Sequence, residues 1–302
     1  IPDREKDGYG ATKKLFKRLI LKKPKLVIMV DCGSTSNEAI NFLNENNIKS
    51  LVIDHHELNI PFPKANMIIN PKKDNGYLEY DYLCAASLVY FFLDLLSKKI
   101  NSKFNISDFL IYVLLATVCD IMPLRKLNRL IAFTALKNLD LNKSKALNEI
   151  LILNNKSSKI NINDLGYLVG PILNSGGRLG KSNYASELLS SNELEHINTR
   201  SNELIKLNNK RKKIETLVLN ELIKLNNKRK EIEKLVLSEI DLKKIERDNK
   251  DVIVYYNSSI NEGLIGIVAA RLKDYFNKPV IVLTQSNDIL KGSARSIYNY
   301  NI

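Results

Sequence analysis

Three residue types are scarce or badly placed for whole classes of function. The chain has only three cysteines in 302 residues, Cys32, Cys84 and Cys119. They are far apart, odd in number and set in apolar segments, which excludes a disulfide framework or a cysteine-based zinc site and suits a reducing cytoplasm. No uncharged run of about 18 apolar residues occurs, because the longest candidate, Phe109 to Met122, is interrupted by Asp120. No membrane span is expected from it. There is neither an initial methionine nor a signal-like segment at Ile1, and Tyr298 to Ile302 carry no stop signal, so the sequence reads as cut at both ends. Histidine is equally scarce: there are three, yet two of them, His55 and His56, are adjacent and follow Asp54. Imidazole beside carboxylate suits a divalent ion, while a polar turn bonded only to backbone is the plainer alternative.

What is abundant is lysine. Forty-six Lys and Arg against 33 Asp and Glu leave a net charge of +13, which favours a polyanionic partner such as nucleic acid. The richness in Lys, Asn and Ile also fits an AT-rich coding sequence. With 44% hydrophobic residues, the chain has enough apolar material for two soluble cores.

The order of elements is that of a parallel α/β sheet. Leu26 to Val30 reads as a strand ending at Asp31, Asn37 to Asn46 as a helix, and Leu51 to Ile53 as a strand ending at Asp54. Ligands of open α/β sheets bind at the carboxyl edge of the strands, so Asp31 and Asp54-His55-His56 are expected on one rim. Met67 to Ile69 is a further strand, Asn70-Pro71 opens a loop, and Leu83 to Ser97 and Phe109 to Val118 read as buried helices. Asp120 follows the second of these, a costly place for an acid unless it is paired, solvated or metal-bound. In Asn174-Ser175-Gly176-Gly177-Arg178-Leu179-Gly180, three glycines flank an arginine, a pattern for anion approach or for a loop that caps a helix.

Residues 202–219 recur almost unchanged at 220–237. The 18-residue offset is five turns at about 3.6 residues each, so a copy would lengthen a helix by roughly 27 Å without changing its phase. A second α/β pattern then begins with a strand from Val252 to Tyr256. It continues with a helix from Ile267 to Phe276, a strand from Val280 to Leu283, and Lys291-Gly292-Ser293-Ala294-Arg295-Ser296, which reads as a turn able to clamp phosphate.

Taken in order, VDCGSTS at Asp31, DHH at Asp54, ATVCDIMPL around Asp120, GPILNSGGRLG around Arg178, EGLIGIVAARL from Glu262 and KGSARS around Arg295 resemble the DHH phosphoesterase superfamily. Its RecJ-type branch of single-strand-specific exonucleases is the nearest in pattern. The resemblance implies a parallel-sheet DHH domain at 1–183, a long connecting helix over 184–248 and a smaller α/β, DHHA1-like domain at 249–302. It implies 5′-to-3′ hydrolysis of single-stranded DNA with two divalent cations, Mn2+ or Mg2+. Asp31 would bridge the ions, with His55 and Asp120 as further metal ligands. His56 would face the scissile phosphate, Asp54 would orient the histidines, and Arg178 would hold that phosphate. Arg4, Ser293 and Arg295 would bind the terminal 5′-phosphate. A monomeric cytoplasmic protein of recombination and repair, contacting repair or replication proteins and no membrane, is the further expectation. The family's Asp-x-Asp motif would precede Arg4 and is absent from the sequence, so this fragment is expected to be weakly active or inactive without it. A phosphodiesterase for short oligonucleotides or cyclic dinucleotides, or a non-catalytic nucleic-acid binder, are the alternatives.

Overall fold

The computed structural model describes residues 1–2, 7–8, 10–73, 79–156, 159–298 and 300. The chain divides into two compact units, Ile1–Lys213 and Ile214–Ile302.

The first unit opens with α1 (Lys13–Leu19), β1 (Leu26–Val30), α2 (Asn37–Glu45), β2 (Lys49–Ile53) and β3 (Met67–Ile69). The three strands form one parallel sheet in the order β1-β2-β3. β2 has neighbours on both sides and is apolar after Lys49 apart from Ser50, as a strand covered on both faces should be. β1 has no partner on its other edge among the described residues, and Leu26, Ile28 and Val30 are exposed. Phe16, Met29, Ile40, Leu43 and Val52 pack between this sheet and the helices α1 and α2.

A helical layer completes the unit: α3 (Ala85–Lys99), α4 (Leu110–Cys119), α5 (Lys126–Lys137), α6 (Lys145–Leu153), α7 (Gly170–Arg178), α8 (Tyr184–Ser190) and the front of α9 (Leu194–Ser238). Its core gathers Leu114, Leu147, Ile150, Leu165, Ile172, Leu188 and Leu204, each almost wholly buried. α4 is apolar at most positions because it is covered on most sides. The glycine-rich segment that reads as a loop is helical to Arg178. Glycine lets α7 pack closely: a Cβ at Gly176 would lie 2.6 Å from the Lys181 carbonyl oxygen and 3.2 Å from Leu204, and one at Gly170 would strike Cys119 Sγ.

The duplicated segment is helical throughout α9, and the expected 184–248 stretch comprises α8, α9 and α10 (Leu242–Asp248). The two copies have opposite fates. Leu204 in the first is fully buried, whereas its counterpart Leu222 is 57% exposed. Val236 and Leu237 in the second pack on the core of the second unit, whereas their counterparts Val218 and Leu219 are exposed. Thus the front of copy one and the back of copy two carry the packing.

The second unit adds β4 (Ile253–Tyr256), α11 (Ile265–Phe276), β5 (Val280–Ser286) and β6 (Ile289–Arg295). β4 and β5 are parallel, and β6 returns antiparallel to β5. Val268, Ala269, Leu272, Val280 and Val282 form its core. Lys291 to Arg295 therefore lie in a strand and not in a turn, with Ser293 opposite Val282 and Arg295 opposite Val280. Among the described residues no helix is long and apolar enough to cross a membrane.

Candidate metal centre

Each parallel strand delivers a polar side chain to the same edge: Asp31 after β1, Asp54 after β2 and Asn70 after β3. The ladder runs one step past the strands, through Asp31 N–H to Ile53 O at 3.0 Å and Asp54 N–H to Ile69 O at 3.0 Å. Asp31 then takes a left-handed backbone (φ 60°) and Gly33 a φ of 116°, turning the chain into α2. Aspartate tolerates that conformation better than most side chains do. At Gly33 the glycine is required twice, because a Cβ there would also lie 3.0 Å from Val52.

His55 is buried, and its Nε2 lies 3.4 Å from Asp31 Oδ1 and 3.1 Å from Asp120 Oδ2 without a hydrogen bond to either. Asp120 caps the C-terminus of α4, so sheet and helix bring two carboxylates to one imidazole nitrogen. The ligand atoms of Asp31, His55 and His56 all lie within 4.8 Å of one another. The Asp31 carboxylate raises the pKa of His55; burial opposes it, and the charges of Asp120, Asp31 and Asp54 add to the rise.

Asp54 is buried and belongs to a different network. Its Oδ1 accepts from His55 N–H at 2.8 Å and His56 N–H at 3.3 Å, and its Oδ2 accepts from Ser34 N–H at 3.0 Å. His56 Nδ1 is 2.7 Å from Oδ1. Burial pushes the Asp54 carboxyl up, but the bonds from His56, Ser34 and His55 outweigh it and hold its pKa below the ordinary value of 3.8. An ionised carboxylate only accepts, so Nδ1 of His56 carries the proton. Asp54 thus fixes the His56 ring, while His55 is fixed by backbone and burial.

Asn70, unmarked by the motifs, is buried and donates to Ser34 Oγ at 2.8 Å and to the His56 carbonyl at 2.9 Å. It ties the loops after β1 and β2 together beneath the histidines. Its position after the third strand, equivalent to Asp31 and Asp54, is the signal by which it was legible. The nearby thiols are biased toward their protonated forms: burial, then Asp54 and Asp31, push Cys32 to about 11, and burial and Asp120 raise Cys119.

A cavity of about 610 Å³ opens beside Asp31 and Asp120, walled by Val89, Tyr90, Phe109 and Tyr112 and touched by Asn174. A smaller cleft of about 130 Å³ is lined by Asn174, Arg178 and Arg211 with Gly166, Gly170, Pro171 and Cys119. Asn174 and Cys119 line both, so Arg178 belongs to the surroundings of the metal-like cluster. In the second unit, Arg295 Nη1 lies 3.3 Å from Ser293 Oγ. A Cβ at Gly266, in the first turn of α11, would be 3.2 Å from Arg295 Nη2 and 3.4 Å from Ser293 Oγ. Ser293 and Arg295 are therefore neighbours on one face of β6. Arg4 lies outside the described residues.

The chain has relatives among known proteins. Residues 1–117 match the DHH family, N-terminal domain. Single-stranded-DNA-specific exonuclease RecJ of Haemophilus influenzae is 30% identical over 310 aligned residues, covering 98% of this chain and 51% of that protein. RecJ of Escherichia coli is 29% identical, covering 98% and 52%. The chain thus spans about half the length of these curated relatives. A crystal structure of exonuclease RecJ bound to manganese superposes with a TM-score of 0.66 at 23% identity, covering 98% of this chain and 69% of that one. RecJ from Thermus thermophilus in complex with Mn2+ gives 0.61 at 22% identity, covering 93% and 39%. Both show the same fold.

Proposed function

We propose that this chain, whose residues 1–117 match the DHH family and which resembles RecJ exonucleases over 98% of its length, belongs to a metal-dependent exonuclease that hydrolyses single-stranded DNA in the 5′-to-3′ direction. The observation that carries the reading is the buried His55 Nε2, without a hydrogen bond, between the carboxylates of Asp31 and Asp120. A nitrogen so placed with two oxygens is a donor set for a divalent cation such as Mn2+ or Mg2+, and the residues present fit that group.

Asp31, His55 and Asp120 would hold the divalent cations. Two divalent cations supply activation of water and neutralisation of charge on the attacking and leaving oxygens. Asp54 keeps the His56 Nδ1 proton in place, so the other ring nitrogen of His56 would donate to a phosphate oxygen when it too carries a proton. Arg178 offers a planar fork to the scissile phosphate. Ser293 and Arg295, paired on β6, would take the terminal 5′-phosphate. The working setting is a monomer in the cytoplasm, acting in recombination and repair beside other repair or replication proteins. The net charge of +13 suits the polyanion.

The test is digestion of 5′-phosphorylated single-stranded DNA with Mn2+, with label at either end to read direction. In the full-length protein with its upstream Asp-x-Asp motif, wild type should release mononucleotides from the 5′ end, and His55→Ala should lose about 100-fold, the scale of loss for a metal-site group. Equal rates for His55→Ala and wild type, or cleavage confined to di- and trinucleotides, would contradict the reading.

A further inference from the structure

We infer that Asn174 is a further catalytic residue of the centre: its side-chain amide donates to a non-bridging oxygen of the scissile phosphate, between the carboxylates of Asp31 and Asp120 and the guanidinium of Arg178. The inference rests on the nuclease reading and adds a substrate contact to it.

Asn174 and Arg178 are four residues apart on α7, and side chains at that spacing lie one above the other on the same helix face. Both line the small cleft, and Asn174 also lines the cavity that contains Asp31 and Asp120. The amide therefore stands where the two spaces meet, with carboxylates on one side and Arg178 on the other.

Its place relative to Asp120 is set by packing. Gly170 lies one turn before Asn174, and a Cβ there would strike Cys119 Sγ, so α7 rests against the end of α4 directly beside Asp120. A helical turn rises about 5.4 Å, which is the scale of the step from that contact to Asn174. On the other side, the buried Ser175 hydroxyl lies 2.6 Å from the Ile172 carbonyl and 3.0 Å from the Leu204 carbonyl of α9. A Cβ at Gly176 would lie 2.6 Å from the Lys181 carbonyl oxygen. The backbone of Asn174 is thus locked before and after it, while its side chain is exposed.

That side chain is uncommitted. Among the described residues, neither Asn174 nor Arg178 has a side-chain hydrogen bond or ion pair. An amide also suits the position chemically. A lysine or arginine beside Asp31 and Asp120 would pair with them and compete with a divalent cation, and an acid would repel phosphate; an amide brings two N–H donors without charge. Arg178 supplies the positive charge one turn further on, in a cleft lined by no acid.

The test is digestion of 5′-phosphorylated single-stranded DNA with Mn2+ by the full-length protein with its upstream Asp-x-Asp motif. The scissile linkage carries oxygen, or sulfur in place of one or the other non-bridging oxygen. Asn174→Ala should lower kcat about 100-fold, the low end for removal of one donor to developing charge. Sulfur is the poorer acceptor, so for one diastereomer the oxygen-to-sulfur rate ratio should shrink about tenfold in Asn174→Ala relative to wild type, the coupling of one charge-assisted hydrogen bond. The ratio for the other diastereomer should not change. Mn2+ affinity of Asn174→Ala should equal that of wild type, and Asn174→Asp, of the same shape but charged, should be at least as slow.

Alanine is the better helix former, so Asn174→Ala should fold, as circular dichroism checks; if it does not, the coupling is read in Asn174→Asp. A slower variant with both ratios unchanged would make Asn174 a structural residue of α7 and overturn the inference, as would loss of Mn2+ binding in Asn174→Ala. If wild type itself digests no DNA, the nuclease reading falls and this contact with it. If wild type digests and Asn174→Ala matches it, only the contact falls.

Discussion

Replacing Asp54 by asparagine should separate the scaffold of the site from its ligands. Asp54 Oδ1 accepts from two backbone N–H groups and the His56 ring, and Oδ2 accepts from Ser34 N–H. An amide has one oxygen to offer. Keeping the oxygen toward the histidines turns the NH2 group against the buried Ser34 N–H; reversing it abandons the histidine side. At least one buried donor is left without an acceptor, which costs about 1–3 kcal/mol, and the bond to His56 loses its charge assistance. A total of about 2–3 kcal/mol lowers Tm by about 4–12 °C for a unit of this size. The comparison is Asp31→Asn, whose carboxylate is 64% exposed and whose substitution should stay within about 0.5 kcal/mol. Thermal unfolding followed by circular dichroism reads both. An Asp54→Asn protein with the wild-type Tm would refute the argument that this carboxylate is a structural acceptor.

Acid should erase that difference. The folded pKa of Asp54 is depressed, so its stability is present above the ordinary carboxylate value of 3.8 and is lost as pH falls through the lower folded value. The gap between wild type and Asp54→Asn, followed by urea unfolding, should shrink below about pH 4; a gap that widens there would count against the assignment. Gly170→Ala should cost about 1–3 kcal/mol through overpacking on Cys119, and Cys119→Ala in the same protein should return part of it in a denaturation series. Deleting residues 220–237 should leave both cores folded, because Val218 and Leu219 then stand where Val236 and Leu237 pack, and Glu215 where Glu233 meets Arg271 at 3.0 Å. Loss of cooperative unfolding would contradict the phase argument.

The strands and their terminal acids were legible because a parallel strand buried on both faces leaves an apolar run that ends abruptly at the edge. Asp31 and His55 followed from that pattern together with the motif order. Asp120 was visible as an acid after a long apolar helix, although nothing in its spacing shows that it meets His55. The glycine-rich segment before Lys181 was misleading, since glycines chosen for close helix packing have the same composition as a turn. Lys291 to Arg295 form a strand because Gly292 sits against Leu283 in the β5–β6 pair, a long-range circumstance that the sequence does not display. Asn70 was marked only by its place after the third strand, because its partners Ser34 and His56 are distant in sequence. The copies of the duplicated segment look equivalent, yet only position relative to the two cores decides which half is buried.

The central claim is that Asp31, His55 and Asp120 hold a divalent cation. Titration of Mn2+ followed by electron paramagnetic resonance, on wild type, His55→Ala and Asp120→Asn, tests it without requiring turnover. Saturable binding is expected in wild type and a weakening of about 10- to 100-fold or more in each variant, whereas Asp94→Asn, which removes a carboxylate of α3 paired with Lys98, should leave binding unchanged. Equal Mn2+ binding in wild type and His55→Ala would contradict it.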